Sequence, residues 1–208
     1  MAILNYAKVK VAEDASGLGE GLGKSLEELA VARRLRYTAE ETGNIPGVAE
    51  SRQAFKALGI DPSRYRPSSE ALLRRVLQDK PMFSVNSAVD VNNYCSIKYG
   101  LPFGIYDLAS IQGKVVCRLG KDSETYFGLN GRETSMSGKL LTADESGPFG
   151  SPVVDSERTK VTSAANDLLH VVYVFPGYDI DLTELLSDVG EMFVKWNGGE
   201  IKESYFLK

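Results

Sequence analysis

The chain has 208 residues, of which 43 % are hydrophobic and 25 % are charged, and its formal net charge is −4. This composition is ordinary for a globular domain, and the excess of acidic residues argues against strong nonspecific binding to nucleic acids. The sequence has no long apolar run of membrane-spanning length, and its first residues lack the pattern of a secretory signal, so we expect a cytoplasmic protein with no membrane partner.

The first part of the chain is predicted to be mainly helical. Alternating residues 6–11 predict a strand, and residues 17–23 predict a glycine-rich loop. This loop resembles a phosphate-binding loop, but Leu18 stands where the first glycine of that motif is required, so we expect no nucleotide site. Helices are predicted over residues 25–39, with Ser25 as the N-cap, and then over 48–58 and 67–80.

The fourth predicted helix, residues 86–99, is unusually polar. Asn86, Asp90 and Asn93 follow the spacing i, i+4, i+7 and would share one face of a helix, with Asn92 also polar. Short amides and carboxylates are poor helix formers because they compete for nearby backbone groups. We therefore interpret this helix, which Pro102 ends, as the wall of a polar pocket.

The second part of the chain is predicted to be mostly sheet. Strands are predicted over residues 114–119, 125–129, 139–142, 160–161, 168–175 and 200–207, with an amphipathic helix over 181–196. Helices and strands segregated in this way favour an α+β fold. Cys95 and Cys117 are expected to be reduced core residues, and the single histidine, His170, a core-edge residue. One histidine without a CxxC pair or a nucleophile elbow supports neither a metal site nor a serine-type triad.

Basic residues are concentrated in one region of the chain. Residues 31–80 hold 10 basic and 6 acidic side chains, a net charge of +4. Two interpretations remain open: solvated helix faces, or a surface that contacts RNA phosphates through Arg66, Arg74 and Arg75. Arg66 has a further alternative, an ion pair with a nearby carboxylate.

Several short segments occur in an order that is typical of one family. They are RPSSEAL at residues 66–72, VDVNNY at 89–94, GLPFGIYD at 100–107, IQGK at 111–114, LNGRE at 129–133 and TAD at 142–144. Together they resemble the editing domain, called B3/B4, of the phenylalanyl-tRNA synthetase beta subunit, and more closely the free-standing proteins built from that domain. The resemblance covers residues 63–173.

The resemblance implies an organisation as well as a fold. It implies a three-layer α+β fold around a β-sandwich of unusual topology in residues 61–208. Residues 1–60 would form an N-terminal strand and helical extension packed on this domain, so that the whole is one structural unit.

The resemblance also implies a function. The synthetase domain hydrolyses tyrosine wrongly attached to the phenylalanine tRNA, which predicts a trans-editing hydrolase with tRNA and its aminoacyl group as partners and no cofactor or metal. The alternatives are a non-catalytic module that binds RNA or a small ligand, and a protein-interaction role. One departure bears on activity: Gly104 stands where synthetase members carry a histidine associated with the editing pocket.

Ester hydrolysis requires a positioned water, a base and donors for the oxyanion. Asp90 and Asp107 are the predicted catalytic carboxylates, which would accept from the substrate ammonium or the attacking water. The predicted substrate-binding residues are Asn86, Asn93, Gly104, Tyr106 and, more weakly, Glu133. For Asp90 and Asn93 an alternative is that they cap neighbouring loops inside the fold.

Overall fold

The computed structural model describes residues 1–13 and 21–207. Its helices are α1 (Gly21–Arg36), α2 (Val48–Ala57), α3 (Ser68–Leu77), α4 (Ser87–Tyr99) and α5 (Leu182–Asn197). Its strands are β1 (Ala2–Ala7), β2 (Phe103–Asp107), β3 (Val116–Leu119), β4 (Thr125–Phe127), β5 (Glu133–Ser135), β6 (Leu140–Asp144), β7 (Gly147–Gly150), β8 (Leu168–Val172) and β9 (Glu200–Phe206). The mixture of helices with several antiparallel sheets confirms the α+β class.

The larger sheet has the strand order β2-β8-β1-β9, and every neighbouring pair is antiparallel. Strand β1 therefore lies inside this sheet, between two strands from the last fifth of the chain. Residues on both sides of the predicted boundary at 60 thus build one sheet. Strand β2 is at one edge of this sheet, so one of its sides has no neighbouring strand in the described part of the chain.

Three layers result from the packing on the two faces of this sheet. One face carries α4 and α5 over residues such as Leu4, Leu168 and Val172. The opposite face, with Tyr106 and Val171, packs against β6 and β7 of a second sheet, whose strand order is β3-β6-β7. The hairpin of β4 and β5 covers the far side of that second sheet. Burial of both faces of the larger sheet provides most of the core.

Local sequence signals account for the ends of the helices nearest the site. The Asn86 side chain accepts a hydrogen bond from the Val89 N–H and so caps α4 at its N-terminus. Gly100 ends α4 in the left-handed region, at φ 68°, where a residue without Cβ is favoured. Asp181 caps α5 in the same way as Asn86 caps α4.

Other local predictions were wrong or incomplete. Helix α1 begins at Gly21, so Ser25 is an internal helical residue and not a cap. Residues 160–161 form no strand, and the short strands β2, β5 and β7 were not predicted. Cys95 is buried as expected, but Cys117 is exposed on β3. The glycine-rich motif that begins at Gly17 lies largely outside the described residues.

None of the helices in the described part of the chain combines the length and the apolar character needed to cross a bilayer.

Candidate functional site

A cavity of about 480 Å³ opens beside α4, and we call it the α4 cavity. It lies at the edge strand β2, so residues from both faces of that strand reach it: Ile105 from the face that carries the helices, and Tyr106 from the opposite face. The remaining walls come from α3, from α4 and from residues 151–156, which follow β7. The cavity is therefore bounded by all three layers of the fold.

Two residues that line the α4 cavity each hold a buried polar atom without an internal partner in the described part of the chain. Asn92, only 8 % exposed, presents an Oδ1 that accepts no hydrogen bond within the described residues, and the same holds for the Oγ of Ser68. A buried polar group without a partner costs roughly 1–3 kcal/mol. Such groups call for an explanation, and a bound molecule that donates to them supplies one.

The α4 cavity also contains a carboxyl group with altered acidity. The Tyr106 hydroxyl donates a 2.6 Å hydrogen bond to Oδ1 of Asp155, and both residues line the cavity. Desolvation raises the pKa of Asp155 to about 7, although the hydrogen bond from Tyr106 acts in the opposite direction. Burial likewise raises the pKa of Tyr106, and the negative charge of Asp155 adds to this effect. The site thus holds an acid that titrates near neutral pH.

Two glycines make room for the Tyr106 hydroxyl. A Cβ added to Gly104 would lie 2.6 Å from the Cζ of Tyr106 and closer still to the hydroxyl oxygen. A Cβ on Gly150, in β7, would lie 2.7 Å from the same Cζ. The ring is further held by an edge-to-face contact with Phe149 at 4.8 Å between centroids. The Tyr106 side chain therefore occupies the space that a larger residue at 104 would need.

The structure places the predicted polar face of α4 in two different environments. Asn86 is engaged with main chain at both ends of its amide, through the Val89 N–H and through a 3.1 Å bond to the Val161 carbonyl. Asp90 accepts from the Ser84 hydroxyl at 2.5 Å and from the Val85 N–H at 3.1 Å. It lines a neighbouring cavity of about 430 Å³ between α1, α3 and α4.

The other predicted site residues are dispersed. Asn93 lines both cavities, and Tyr106 lines the α4 cavity. Asp107 is at the end of β2, where its Oδ1 accepts from the Ala109 N–H. Glu133 is exposed on β5 and accepts from the Thr125 hydroxyl at 3.0 Å. The structure thus brings Asn93 and Tyr106 to one cavity, with Gly104 behind the Tyr106 ring.

Asp155, Asn92 and Ser68 were missed as site residues. Asp155 stands in an irregular segment, 49 positions from its partner Tyr106, and no local pattern marks it. Asn92 was recognised as polar, but it lies off the face defined by Asn86, Asp90 and Asn93. Asn92 lines the α4 cavity because α3 and β2 pack beside this part of α4, which helical spacing does not reveal.

A further cleft of about 500 Å³, which we call the basic cleft, lies between α2 and α3. Its cationic lining residues are Arg52, Lys56, Arg66 and Arg74. Glu70, only 4 % exposed, accepts a hydrogen bond from Arg52 at 2.8 Å and forms an ion pair with Arg66 at 3.3 Å. These ion pairs leave Lys56 and Arg74 as the cations of the cleft that do not contact Glu70.

Arg75 lies away from the basic cleft. Its Nε donates to the Pro81 carbonyl at 2.6 Å, and its guanidinium lies 4.4 Å from the centre of the Phe83 ring. Of the three predicted RNA-contacting arginines, two therefore share the basic cleft and one does not.

Comparison with known proteins identifies relatives. The family described as B3/4 domain matches residues 50–188. The chain is 28 % identical over 169 residues to the phenylalanine–tRNA ligase beta subunit of Novosphingobium aromaticivorans. The matched stretch covers 80 % of this chain and 21 % of the relative. The corresponding subunit of Chromobacterium violaceum is 30 % identical over 128 residues, 59 % of this chain and 16 % of that protein. The chain thus spans about a fifth of the length of these curated relatives.

Among solved structures, an N-terminal fragment of the phenylalanyl-tRNA synthetase beta subunit from Pyrococcus horikoshii resembles this chain. The TM-score is 0.45 at 16 % sequence identity, with 55 % of this chain and 40 % of that chain covered.

Proposed function

The chain belongs to the B3/4 domain family, and from that membership we propose that it is a tRNA-associated hydrolase that removes wrongly attached amino acids from tRNA in trans. Its curated relatives are named as beta subunits of phenylalanine–tRNA ligase. Family membership supports a role associated with aminoacyl-tRNA, and the reaction itself is our proposal.

The α4 cavity is the observation that carries the proposal. Its volume of about 480 Å³ lies in the range of pockets that bind small molecules, roughly 300–1,000 Å³. Its walls combine many apolar side chains, such as Leu72, Val89 and Ile105, with a few polar groups. Such a lining suits an amino acid side chain on the apolar part, with its ammonium and ester groups at the polar part.

The unpaired atoms give the substrate a defined orientation. Asn92 Oδ1 is an acceptor without a donor in the described residues, and the α-ammonium of an aminoacyl ester is a charged donor. Asn93 and the Tyr106–Asp155 pair would then lie near the ester. Because an aminoacyl ester is already an activated acyl group, hydrolysis needs a positioned water, a base and little more.

The basic cleft would contact the tRNA backbone. Arg74 and Lys56 are exposed, and phosphate contacts of this kind position an RNA without reading its sequence. The division of labour we propose is therefore phosphate contact at the basic cleft and aminoacyl recognition in the α4 cavity.

The test of the proposed function is the loss of aminoacyl esters from a panel of misacylated tRNAs, beginning with tyrosine on the phenylalanine tRNA. We expect the protein to accelerate ester loss over buffer for at least one member. Tight tRNA binding without acceleration would instead support a binding module. The variant Asp90→Asn belongs in the same panel, because Asp90 was predicted from the sequence to be catalytic but lines the neighbouring cavity. Activity equal to that of the wild type would place the chemistry elsewhere, and the same test applies to Asp107.

Replacement of Asn92 by leucine should separate binding from folding. Because Oδ1 lacks an internal partner, Asn92→Leu should leave the free energy of unfolding unchanged or raise it slightly. The loss of the acceptor should raise the KM for the hydrolysed aminoacyl-tRNA about tenfold or more. Urea unfolding and steady-state kinetics measure the two quantities. A large loss of stability with an unchanged KM would assign Asn92 a purely structural role.

Replacement of Arg74 by glutamine should weaken tRNA binding and its dependence on salt. Each phosphate contact contributes about one unit to the slope of log Kd against log salt, so we expect the slope to fall by about one. Lys195→Gln, which removes one exposed charge from α5, is the matched control and should leave the slope unchanged. Equal slopes for Arg74→Gln and the control would exclude the basic cleft as the RNA contact.

A further inference from the structure

We propose that Asp155 is the general base of the ester hydrolysis and that the Tyr106 hydroxyl is its positioning group. This inference rests on the proposed function and identifies chemistry within the α4 cavity. Neither residue lies on α4, the helix that carries Asp90, one of the two carboxylates predicted to be catalytic. Asp90 and Asp107, the carboxylates chosen from the sequence, lie elsewhere: Asp90 lines the neighbouring cavity, and Asp107 caps the turn that follows β2.

The geometry of the pair supports this assignment. Tyr106 is fully buried, and its hydroxyl contacts Oδ1 of Asp155 at 2.6 Å in the wall of the α4 cavity. Asp155 is half-buried and lines the cavity itself. A carboxylate held by a buried hydroxyl is fixed in orientation, which is what proton transfer to a reacting water requires.

The fold makes space for this pair at two separate points. Gly104 on β2 and Gly150 on β7 both lack the Cβ that would collide with the Tyr106 hydroxyl. Tyr173 continues the network, because its hydroxyl contacts Tyr106 and also lies 3.0 Å from the Thr142 hydroxyl. A buried hydrogen-bonded chain of this kind holds its members in one arrangement.

Burial and hydrogen bonds set the acidity of Asp155, and its charge in turn affects three tyrosines. Tyr106 from β2, Tyr173 beyond β8 and Tyr126 from β4 are coupled to its charge. Lys160 lines the same cavity, but its ammonium pairs with Glu157 at 2.7 Å. Desolvation outweighs the hydrogen bonds from Tyr106 and from the Ser151 backbone, which is why the pKa of Asp155 is raised to about 7. A base with a pKa near the working pH is well matched to proton transfer.

The reaction step balances without a cofactor. Ionised Asp155 takes a proton from water while the water oxygen forms a bond to the ester carbonyl carbon. The tetrahedral intermediate then collapses, and the bond to the ribose oxygen breaks. The proton held by Asp155 passes to that ribose oxygen, which leaves the free amino acid, the deacylated tRNA and the carboxylate in its starting state.

The experiment is the pH dependence of kcat/KM for the misacylated tRNA hydrolysed fastest, with hydrolysis in buffer subtracted at each pH. For the wild type we expect a rise to a plateau with a midpoint near pH 7. Asp155→Asn should lower kcat/KM by about 100-fold or more and abolish the midpoint. Tyr106→Phe should move the midpoint to higher pH, because it removes a hydrogen bond that favours the carboxylate. Asp122→Asn, an exposed carboxylate on a turn, is the control and should match the wild type.

The outcomes distinguish this inference from the function on which it rests. An active wild type with Asp155→Asn reduced less than threefold, and with the same midpoint, would overturn the role of Asp155 and leave the hydrolase intact. A Tyr106→Phe variant with the plateau and the midpoint of the wild type would overturn the positioning role of Tyr106. No acceleration by the wild type on any misacylated tRNA would overturn both proposals. Urea unfolding at pH 8 checks that each variant is folded.

Discussion

Gly104→Ala should destabilise the protein by about 2–6 kcal/mol. The added Cβ would lie 2.6 Å from the Cζ of Tyr106 and closer to its hydroxyl, so the ring must move within a packed core, and overpacking of this kind typically costs about 1–3 kcal/mol. Movement of the ring also breaks the hydrogen bond to Asp155, which leaves a buried hydroxyl unpaired at a further cost of about 1–3 kcal/mol. Urea unfolding at neutral pH measures the loss.

A double-mutant cycle tests whether the cause is the Tyr106 hydroxyl. In a Tyr106→Phe background, Gly104→Ala should lower the free energy of unfolding by a smaller amount, because the hydroxyl oxygen nearest to the added Cβ is absent. The contact of the Cβ with Cζ remains. Gly23→Ala is the matched control: no atom lies within 4 Å of its added Cβ, and alanine in a helix is preferred by about 0.5–1 kcal/mol. Additive costs in the cycle would contradict the steric explanation.

The same contact bears on the histidine that the family resemblance led us to expect at position 104. A histidine at 104 brings a Cβ into the space of the Tyr106 hydroxyl, so this chain cannot hold both side chains in their present places. The position of the Tyr106 hydroxyl therefore depends on a residue without a side chain at position 104. We therefore expect Gly104→His to lose stability at least as strongly as Gly104→Ala.

Acid should destabilise the protein through His170. The ring is fully buried among Tyr6, Phe103 and Phe193, and burial lowers its pKa to about 3. In the unfolded chain the histidine has its ordinary pKa of about 6.5. Below that pH the ring is protonated in the unfolded state but stays neutral in the folded state. The stability contributed by neutral His170 is complete above about pH 6.5 and is lost as the pH falls towards 3. At pH 4.5 the loss should be about 2–3 kcal/mol.

The variant His170→Leu isolates this effect. Between pH 7.5 and 4.5 the variant should gain about 2–3 kcal/mol relative to the wild type in urea unfolding. Asp155 acts in the opposite sense: because its pKa is raised, its contribution to stability is present below about pH 4 and is lost as the pH rises through 7. This contribution is the same in the wild type and in His170→Leu, so it cancels in the comparison. Parallel pH profiles would refute the assignment. Since the chain has one histidine, its ring protons in NMR offer an independent check and should not titrate above pH 5.

Several elements of the fold followed from local sequence patterns. Helix α4 was predicted over residues 86–99 and observed as Ser87–Tyr99, because an N-capping asparagine and a left-handed glycine delimit it. The amphipathic α5 was predicted equally well. Strands were harder, because most have five residues or fewer, and β2, β5 and β7 were not predicted. Short segments of this kind gain their stability from partners distant in sequence.

The candidate site was predicted less completely than the helices. The polar face of α4 does adjoin a hollow, but Asp90 lines the neighbouring cavity and only Asn93 reaches both. Asn92, on another side of the helix, carries the unpaired acceptor. Helical periodicity states which residues share a face, whereas the packing of α3 and β2 decides which face meets the α4 cavity.

By itself, the sequence determined the family, the α+β class and the position of the polar helix, since these depend on nearest-neighbour spacing and on the order of short motifs along the chain. Only the tertiary structure decided that Tyr106 meets Asp155, and that β1 lies between β8 and β9. The physical reason is that desolvation and hydrogen bonding act between groups close in space, and these groups are separated by tens to hundreds of residues in the chain. A carboxyl group whose acidity is set by burial and by a hydrogen bond from a distant strand leaves no pattern in the segment that carries it.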